Sequence, residues 1–253
     1  MKMMSARPVS ADDAADPHAA LERTVAELQV ALDEASASEA RDREFLAAAA
    51  HHLRTPVGSI HAGVEALLHG PRLEEREHLF ADLVRQGSRA ARLVDSLLRL
   101  ARLDAGEPLR PGPCDLVQVC SQQVQWVRER APHLELVLDA ERPSRALHLD
   151  QRAVCEILTQ LLDNARRHAA GRITVSVAVS DDVRLLVRDD GPGLPEAVVE
   201  RAFERFTSLD GMGGAGLGLA IARELARLHG GDLRYEDRVF ALRLPARRVG
   251  GPA

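Results

Sequence analysis

The stretch FLAAAAHHLRTP, residues 45–56, has the spacing of a helix with two different faces. At 3.6 residues per turn, one face carries His51, Arg54, Thr55 and Gly58. The other face is apolar and carries Leu46, Ala49, Leu53, Val57, Ile60, Val64 and Leu67. The pattern predicts an amphipathic helix that exposes His51, with Gly70 and Pro71 ending it.

Pro56 lies inside this predicted helix. It has no N–H for the carbonyl of His52, and its ring crowds the preceding turn, so we expect a bend there at a cost of roughly 3 kcal/mol. A bend tolerated directly after two histidines indicates a functional use of this segment. The alternative interpretation is that the histidine pair is ordinary solvated helix surface.

A second amphipathic helix follows and ends near residues 106–108. Its apolar positions are Leu79, Leu83, Ala90, Val94, Leu97 and Ala101. The two helices form a hairpin, and one hairpin leaves part of its apolar stripe uncovered. Two copies side by side would close a four-helix bundle, so we expect a homodimer with residues 45–107 as the dimerisation domain.

The segments on either side of the hairpin differ from it in composition. Residues 1–18 are predicted to be a flexible tail, and residues 19–44 carry a short coiled-coil seam formed by Leu21, Val25, Leu28, Leu32 and Ala35. Residues 108–113, with prolines and a glycine, are predicted to be a linker.

Residues 114–247 mix two kinds of apolar spacing, and residues 248–253 form a short tail. Strands are predicted at 134–138, 173–179 and 183–187, and helices at 151–168 and 217–229. This second unit is therefore expected to be α+β, with helices on one face of a sheet.

Composition narrows the class of protein. The formal net charge is -5, and the arginines are scattered among acids, so nucleic acid is not an expected partner. No apolar run of membrane-spanning or signal-peptide type is present, so we expect a cytoplasmic protein with no membrane span. The cysteines Cys114, Cys120 and Cys155 have no CxxC spacing and are expected to be small buried hydrophobes.

The segment around His51 resembles the phospho-acceptor box of the histidine kinase family, usually written S-H-E-L-R-T-P. The match through Leu53, Arg54, Thr55 and Pro56 implies that His51 is the acceptor. Thr55 matches the position that the family associates with dephosphorylating its partner. His52 replaces the family's usual acid, and a neutral imidazole would accept a hydrogen bond from the acceptor ring only weakly.

Residues 158–168 resemble the family's N box, which lies on a helix. The resemblance implies that Asn164 helps hold Mg²⁺ against the triphosphate of ATP, with Gln160 in place of a second asparagine as a further metal ligand. Arg167 stands at the usual basic residue that faces phosphate. His168 ends the box and is included in the nucleotide-binding set.

The sequence DDGPG, residues 189–193, follows a predicted strand and resembles the G1 box. The match implies that Asp189 accepts a hydrogen bond from the adenine amino group, while Gly191 and Gly193 let the backbone pass close to the base. The alternative is an Asp-Gly turn after a strand.

The sequence GAGLGL, residues 214–219, resembles the G2 box at the start of a helix. Backbone N–H groups at Gly214, Gly216, Leu217 and Gly218 could bind phosphate there, although a flexible turn would have the same composition. Phe203 and Phe206 match the F box, which implies that they anchor an ATP lid at residues 207–213.

The order and spacing of these boxes across residues 45–230 carry the resemblance. It implies a helical-hairpin dimerisation domain, which forms a four-helix bundle in the dimer, followed by an α/β sandwich ATP-binding domain of GHKL type. The implied activity is autophosphorylation of His51 by ATP and transfer to an aspartate of a response-regulator receiver domain. No sensory domain is recognisable, so an upstream sensory protein is a candidate partner.

Two other functions stay open from the sequence. The replacement of the acid by His52 is compatible with a kinase-impaired phosphatase, and the pocket alone is compatible with a non-catalytic dimeric scaffold that ATP switches. The end of the chain, residues 232–245, also lacks the glycine-containing turn common between the family's last strands, although two tight strands still fit.

Overall fold

The computed structural model describes residues 17–70, 72–140, 146–207 and 215–246. Most of the predicted N-terminal tail, the predicted C-terminal tail and all but Thr207 of the predicted lid lie outside these ranges. The chain divides into two compact units, residues 1–50 and 51–253.

The first two helices are long. Helix α1 spans Pro17–Leu68 and helix α2 spans Leu73–Asp104. The border between the two units falls inside α1, directly before His51. The described part of the first unit is entirely helical, which fits the predicted helical segment, whereas its pairing as a coiled coil stays a prediction. Helix α1 also continues on both sides of Pro56.

Local signals explain the ends of α2. The Glu75 carboxylate accepts a hydrogen bond of 3.0 Å from the Arg72 N–H, which satisfies a donor at the helix start. At the other end Gly106 has φ 75°, and its N–H donates to the Leu103 carbonyl. This left-handed glycine terminates the helix.

Much of the apolar stripe on α1 and α2 is exposed in the single chain. Leu93, Leu100 and Leu103 of α2 are buried, but many large apolar residues are not. The exposed ones include Val57, Val64, Leu68, Leu73, Phe80, Val84, Val94 and Leu98. Val57, expected to face the core, is 55% exposed, which is what an unpaired hairpin predicts.

In the rest of the chain, the described residues form two sheets. Strands β1 (Gly112–Cys114) and β3 (Leu147–Leu149) form an antiparallel pair. The larger sheet has the order β2-β4-β5-β7-β6. Its strands are β2 Glu135–Ala140, β4 Arg172–Val179, β5 Asp182–Asp189, β6 Asp232–Glu236 and β7 Val239–Pro245. Among these described strands, β2 and β4 pair in parallel and the other neighbours are antiparallel.

Four helices accompany the sheets in the part of the chain that the structure describes: α3 Leu116–Arg130, α4 Gln151–His168, α5 Glu196–Val199 and α6 Gly218–Leu228. Alternate residues of β5 are buried, and α4 buries Ile157, Leu158 and Leu161 completely. One face of the sheet therefore packs against helices, which confirms the predicted helical hairpin followed by an α/β sandwich.

The structure corrects the predicted linker. Gly112 and Pro113 belong to strand β1, so the last two residues of the segment 108–113 are part of the second fold. Strands β1 and β3 are three residues long, too short for a periodic pattern, and β1 contains a proline. Helix α3 was also not predicted, although Asp115 caps it by accepting from the Gln118 N–H.

The three cysteines are free, as expected for small apolar residues. Burial raises the pKa of the Cys114 thiol to about 11 and that of Cys120 to about 12. Burial also raises the pKa of Cys155, which is half-buried. Such thiols stay protonated and unreactive near neutral pH.

The described helices include none that is both long and apolar enough to cross a membrane.

Candidate nucleotide and phospho-acceptor site

A cavity of about 430 Å³ lies where α4, the start of α6 and one face of α2 meet. Its wall brings together six residues of the predicted nucleotide-binding set and the second predicted metal ligand, Gln160. The six are Asn164, Arg167, His168, Gly216, Leu217 and Gly218. The cavity also reaches Arg89 and Arg92 of α2, which the sequence analysis did not identify. Of the predicted G2 residues, Gly214 lies outside the described part of the chain.

The cavity is rich in positive charge. Arg89, Arg92, Arg166 and Arg167 all line it. Asp163 is the one acid among the described residues of its wall. Arg166 approaches the Asp163 carboxylate at 3.5 Å, and Arg167 Nε donates to the Asp163 carbonyl at 3.1 Å. Because the arginines outnumber the acid, the cavity favours a multiply charged anion.

The start of α6 presents backbone rather than side chain to the cavity. Gly216 has φ 68°, and a Cβ there would overlap the backbone of Phe206 and Thr207. Among the described residues, no side-chain hydrogen bond caps the helix at Leu217. Uncapped N–H groups at a helix start are the usual backbone site for phosphate.

The predicted G1 residues follow β5 and adjoin the end of α4. A Cβ at Gly191 would overlap the His168 carbonyl oxygen, so only glycine fits there. The Asp189 Oδ1 accepts a hydrogen bond of 3.0 Å from the Gly191 N–H. Gly193 has φ 74°, and Leu194, directly after the box, lines the cavity. The G1 segment therefore borders the cavity rather than forming its main wall.

The neighbouring carboxylate of Asp190 has a different position. Its Oδ1 accepts hydrogen bonds of 2.8 Å and 2.9 Å from the Ala170 and Gly171 N–H groups. Backbone hydrogen bonds from Arg172 and Gly171 lower the pKa of Asp190. Asp190 thus stabilises the loop between α4 and β4 through these hydrogen bonds.

The two F-box phenylalanines lie in different surroundings. Phe203 makes an edge contact with Phe240, with ring centroids 6.3 Å apart, and the Arg223 guanidinium lies 4.9 Å from its ring. Phe206 has φ 63° and stacks on His52, with ring centroids 5.0 Å apart and 12° between the planes. The predicted lid continues into residues outside the described ranges.

Three residues of the predicted acceptor segment, His51, Arg54 and Thr55, are exposed on α1. His52 is half-buried, and its ring lies edge-on to His51 with centroids 5.9 Å apart. Burial lowers the pKa of His52, and the charges of His51 and Arg89 lower it further. His52 is therefore neutral at neutral pH.

Two ion pairs connect α2 with the ATPase-like part of the same unit. Arg99 Nε donates to both oxygens of the Glu156 carboxylate on α4 at 2.9 Å. Arg205, beside the F-box phenylalanines, pairs with Asp104 at 2.6 Å. These pairs join residues that are far apart along the chain, and no local pattern in the sequence indicates them.

Comparison with known proteins gives a consistent result. Residues 41–106 match HisKA, the His Kinase A (phospho-acceptor) domain, and residues 149–248 match HATPase_c, the histidine kinase-, DNA gyrase B- and HSP90-like ATPase. The probable sensor histidine kinase TcrY of Mycobacterium tuberculosis is 34% identical over 239 residues, which cover 89% of this chain and 50% of TcrY. The histidine-protein kinase/phosphatase MprB of a Mycobacterium species is 35% identical over 218 residues, covering 80% of this chain and 42% of MprB.

A solved structure agrees with these relatives. The Acinetobacter baumannii histidine kinase AdeS superimposes with a TM-score of 0.65 at 25% identity, covering 78% of this chain and 98% of that one. The chain spans about half the length of the curated relatives it matches. With a phospho-acceptor hairpin followed by an ATPase domain, this chain belongs to the sensor histidine kinase family of two-component systems.

Proposed function

We propose that this chain is an ATP-dependent protein-histidine kinase that phosphorylates His51 and passes the phosphoryl group to an aspartate of a response-regulator receiver domain. The observation that carries the proposal is the cationic cavity between α4 and α6, whose wall also includes α2 of the phospho-acceptor hairpin. This cavity and the exposed His51 belong to one compact unit, residues 51–253, which supports the proposal. Because ATP is the phosphoryl donor, we place the reaction in the cytoplasm.

In this proposal, three groups of residues serve different parts of ATP binding. Asp189 accepts a hydrogen bond from the adenine amino group. Arg167 and the backbone of Gly216, Leu217 and Gly218 hold the phosphates, as the uncapped helix start and the charge of the cavity favour. Phe203 is anchored against the last strand and would keep the F box in place beside the nucleotide.

Asn164 and Gln160 carry the amide oxygens that would hold Mg²⁺, which neutralises phosphate charge during transfer. Both line the cavity, so their placement fits this role. Among the described residues there is no cluster of three or more His, Cys, Asp or Glu side chains suited to a metal. That fits an ion held by one or two amides together with phosphate and water.

In the transfer step a ring nitrogen of His51 forms a bond to the γ-phosphorus of ATP. The bond from that phosphorus to the bridging oxygen breaks, ADP leaves with the electron pair, and the imidazole loses a proton to solvent. Catalysis is mainly positioning and charge neutralisation, to which Arg89, Arg92 and Arg167 contribute from the cavity wall. The aspartate of the receiver then takes the phosphoryl group from His51.

We propose that the active form is a homodimer that forms a four-helix bundle. The support is the large apolar stripe that α1 and α2 leave exposed in one chain. An upstream sensory protein is a further candidate partner.

Removal of phosphate from the receiver is a second candidate activity. Thr55 is exposed one turn after His51, on the same face of α1, where it would meet the same docked receiver. The related MprB is named a kinase/phosphatase.

Labelling with γ-³²P-ATP and Mg²⁺ tests the proposal. We expect an acid-labile, base-stable label that His51→Gln abolishes. His61→Gln, which changes another exposed histidine of α1, serves as the matched control and keeps the label. Nucleotide binding without any label would instead favour the ATP-switched scaffold.

The variant His52→Glu, which restores the family's usual acid, distinguishes an intact kinase from the kinase-impaired phosphatase. A large gain in autophosphorylation would show that His52 impairs the kinase, and the wild-type protein would then act mainly as a phosphatase. No large gain is expected if the enzyme is intact.

A further inference from the structure

The β6–β7 hairpin forms hydrogen bonds with the backbone of the G1 segment, residues 189–194. Arg238, in the turn of the hairpin, donates from Nη2 to the Gly191 carbonyl. A Cβ built on Gly193 would lie 3.5 Å from both Cζ and Nε of Arg238. The Tyr235 hydroxyl, on β6, accepts a hydrogen bond of 3.0 Å from the Leu194 N–H. Two side chains of one hairpin therefore contact the backbone of residues 191–194.

The turn that presents Arg238 has an unfavourable backbone. Asp237 has φ 50° and Arg238 has φ 64°, both in the left-handed region. A two-residue hairpin turn of this kind normally takes asparagine or aspartate followed by glycine. The first position has the expected residue, but the second has an arginine where glycine would relieve the conformation. The contact between the Arg238 side chain and Gly191 is a reason for an arginine here.

Gly191 cannot be held by a side chain of its own. A Cβ there would overlap the His168 carbonyl, so the residue must be glycine and its loop must be fixed by neighbours. The Gly191 N–H donates to Asp189 Oδ1, and its carbonyl accepts from Arg238. Both polar groups of Gly191 are therefore bound, and the orientation of the Asp189 carboxylate is coupled to Arg238 through this one residue.

We propose that Arg238 is a positioning residue for nucleotide binding. By fixing the Gly191 carbonyl it holds the peptide that orients Asp189, so that the second oxygen of Asp189 stays available to the adenine amino group. The inference rests on the proposed role of Asp189 and assigns Arg238 no contact with the nucleotide. Because the base is common to ATP and ADP, loss of Arg238 should weaken both equally and raise the KM for ATP with little change in kcat.

Two glycine substitutions in the same turn test this role. Arg238→Gly relieves the left-handed backbone at residue 238 and removes the guanidinium group. Asp237→Gly relieves the left-handed backbone at residue 237 and keeps the guanidinium group of Arg238. We expect both variants to unfold in urea at the same or a higher midpoint than the wild type. Calorimetry with ADP should show about ten-fold weaker binding for Arg238→Gly and unchanged binding for Asp237→Gly. Arg238→Lys, which keeps a cationic donor, should recover part of the affinity.

Hydrogen exchange of the nucleotide-free protein tests whether Arg238 holds the G1 segment, and this test does not depend on the proposed nucleotide binding. We expect faster exchange at the Gly191 and Leu194 amides in Arg238→Gly and wild-type rates in Asp237→Gly. Unchanged ADP affinity in Arg238→Gly would overturn the positioning role, as would unchanged exchange. If the wild-type protein bound no ADP, the nucleotide-binding role would fail, and the exchange rates alone would still show whether Arg238 holds the G1 segment.

Discussion

The imidazole ring of His52 lies parallel to the phenyl ring of Phe206, with their centroids 5.0 Å apart. Phe206 is held with φ 63°, a conformation that a bulky residue adopts only when its surroundings enforce it. The residue next to the proposed phospho-acceptor His51 is therefore in contact with the F-box segment. This contact half-buries His52 and is one reason that its pKa is lowered.

The pH dependence of autophosphorylation should follow from this contact. Because the pKa of His52 lies below its usual value near 6.5, we expect its effect on the rate to be flat between about pH 7 and 8 and to appear only below about pH 6.5. There a second positive charge beside His51 should slow attack on ATP. The measurement is the ratio of wild-type to His52→Asn rates at each pH, because pH effects that both proteins share cancel in that ratio. A ratio that changes between pH 7 and 8 and is constant below would contradict the prediction.

The same pKa shift affects stability. Below about pH 6.5 the unfolded chain binds a proton at His52 that the folded chain resists, so stability should decrease as the pH falls through this range. Urea unfolding of wild type and His52→Asn at pH 7.5 and pH 5.5 measures the difference. We expect the wild type to lose more stability than the variant over this interval.

Gly191 and Gly218 should respond differently to alanine. In Gly191→Ala the new methyl group meets the His168 backbone carbonyl, which cannot move without displacing the end of α4. In Gly218→Ala it meets the end of the flexible Gln160 side chain, which can rotate away. We expect Gly191→Ala to lower the urea midpoint and abolish ADP binding, and Gly218→Ala to stay folded with a smaller loss of affinity. Equal stability of the two variants would argue against the packing described for Gly191.

The adjacent carboxylates of Asp189 and Asp190 should be separable by amide substitutions. Asp189→Asn should weaken ADP binding about ten-fold or more, because the variant lacks the charged acceptor that we propose for the adenine amino group. Asp190→Asn should leave ADP affinity close to wild type while weakening the loop at Ala170 and Gly171. Calorimetry with ADP and hydrogen exchange at those two amides measure both effects. If only Asp190→Asn lost affinity for ADP, then Asp190 and not Asp189 would be the residue that binds adenine.

Asp150 should contribute to stability in a pH-dependent way. Burial alone would raise the pKa of Asp150, but hydrogen bonds from the Arg110, Ala153 and Arg152 N–H groups lower it overall. Since it caps α4, we expect Asp150→Ala to cost about 1 kcal/mol in the free energy of unfolding at pH 7. A lowered carboxyl pKa gives stability that is present above about pH 4 and lost as the pH falls through the folded-state value. The difference between wild type and variant in urea unfolding should therefore shrink below pH 4.

The dimer can be tested on the exposed stripe of α2. Val84 is 68% exposed in the single chain, and Val84→Glu would place a charge in the proposed bundle core. We expect sedimentation to show a dimer for the wild type and a monomer for this variant. Asp82→Ser, which changes the opposite side of the same helix, should remain a dimer. ADP affinity should be unchanged in both variants, since neither residue lines the nucleotide cavity.

Local patterns in the sequence were enough to predict the regular elements that carry the site. The helix predicted from Gln151 to His168 is observed with the same bounds, because its apolar stripe and its capping aspartate are all within one stretch of chain. The strands around residues 173–179 and 183–187 were located for the same reason. The identity of the G1 and N boxes also depends only on the order of neighbouring residues.

Only the tertiary structure decided which of these residues meet. The sequence did not indicate what Asp190 binds, and in the fold its carboxylate accepts hydrogen bonds from the Ala170 and Gly171 N–H groups of the loop between α4 and β4. Arg238 reaches Gly191 across 47 residues because β7 pairs with β5 and brings the last hairpin beside the G1 segment. The stacking of His52 on Phe206 likewise joins distant parts of the chain. Periodicity and motifs report the neighbours of a residue along the chain, whereas these contacts depend on strand order and on how helices pack, so they could be found only in the folded molecule.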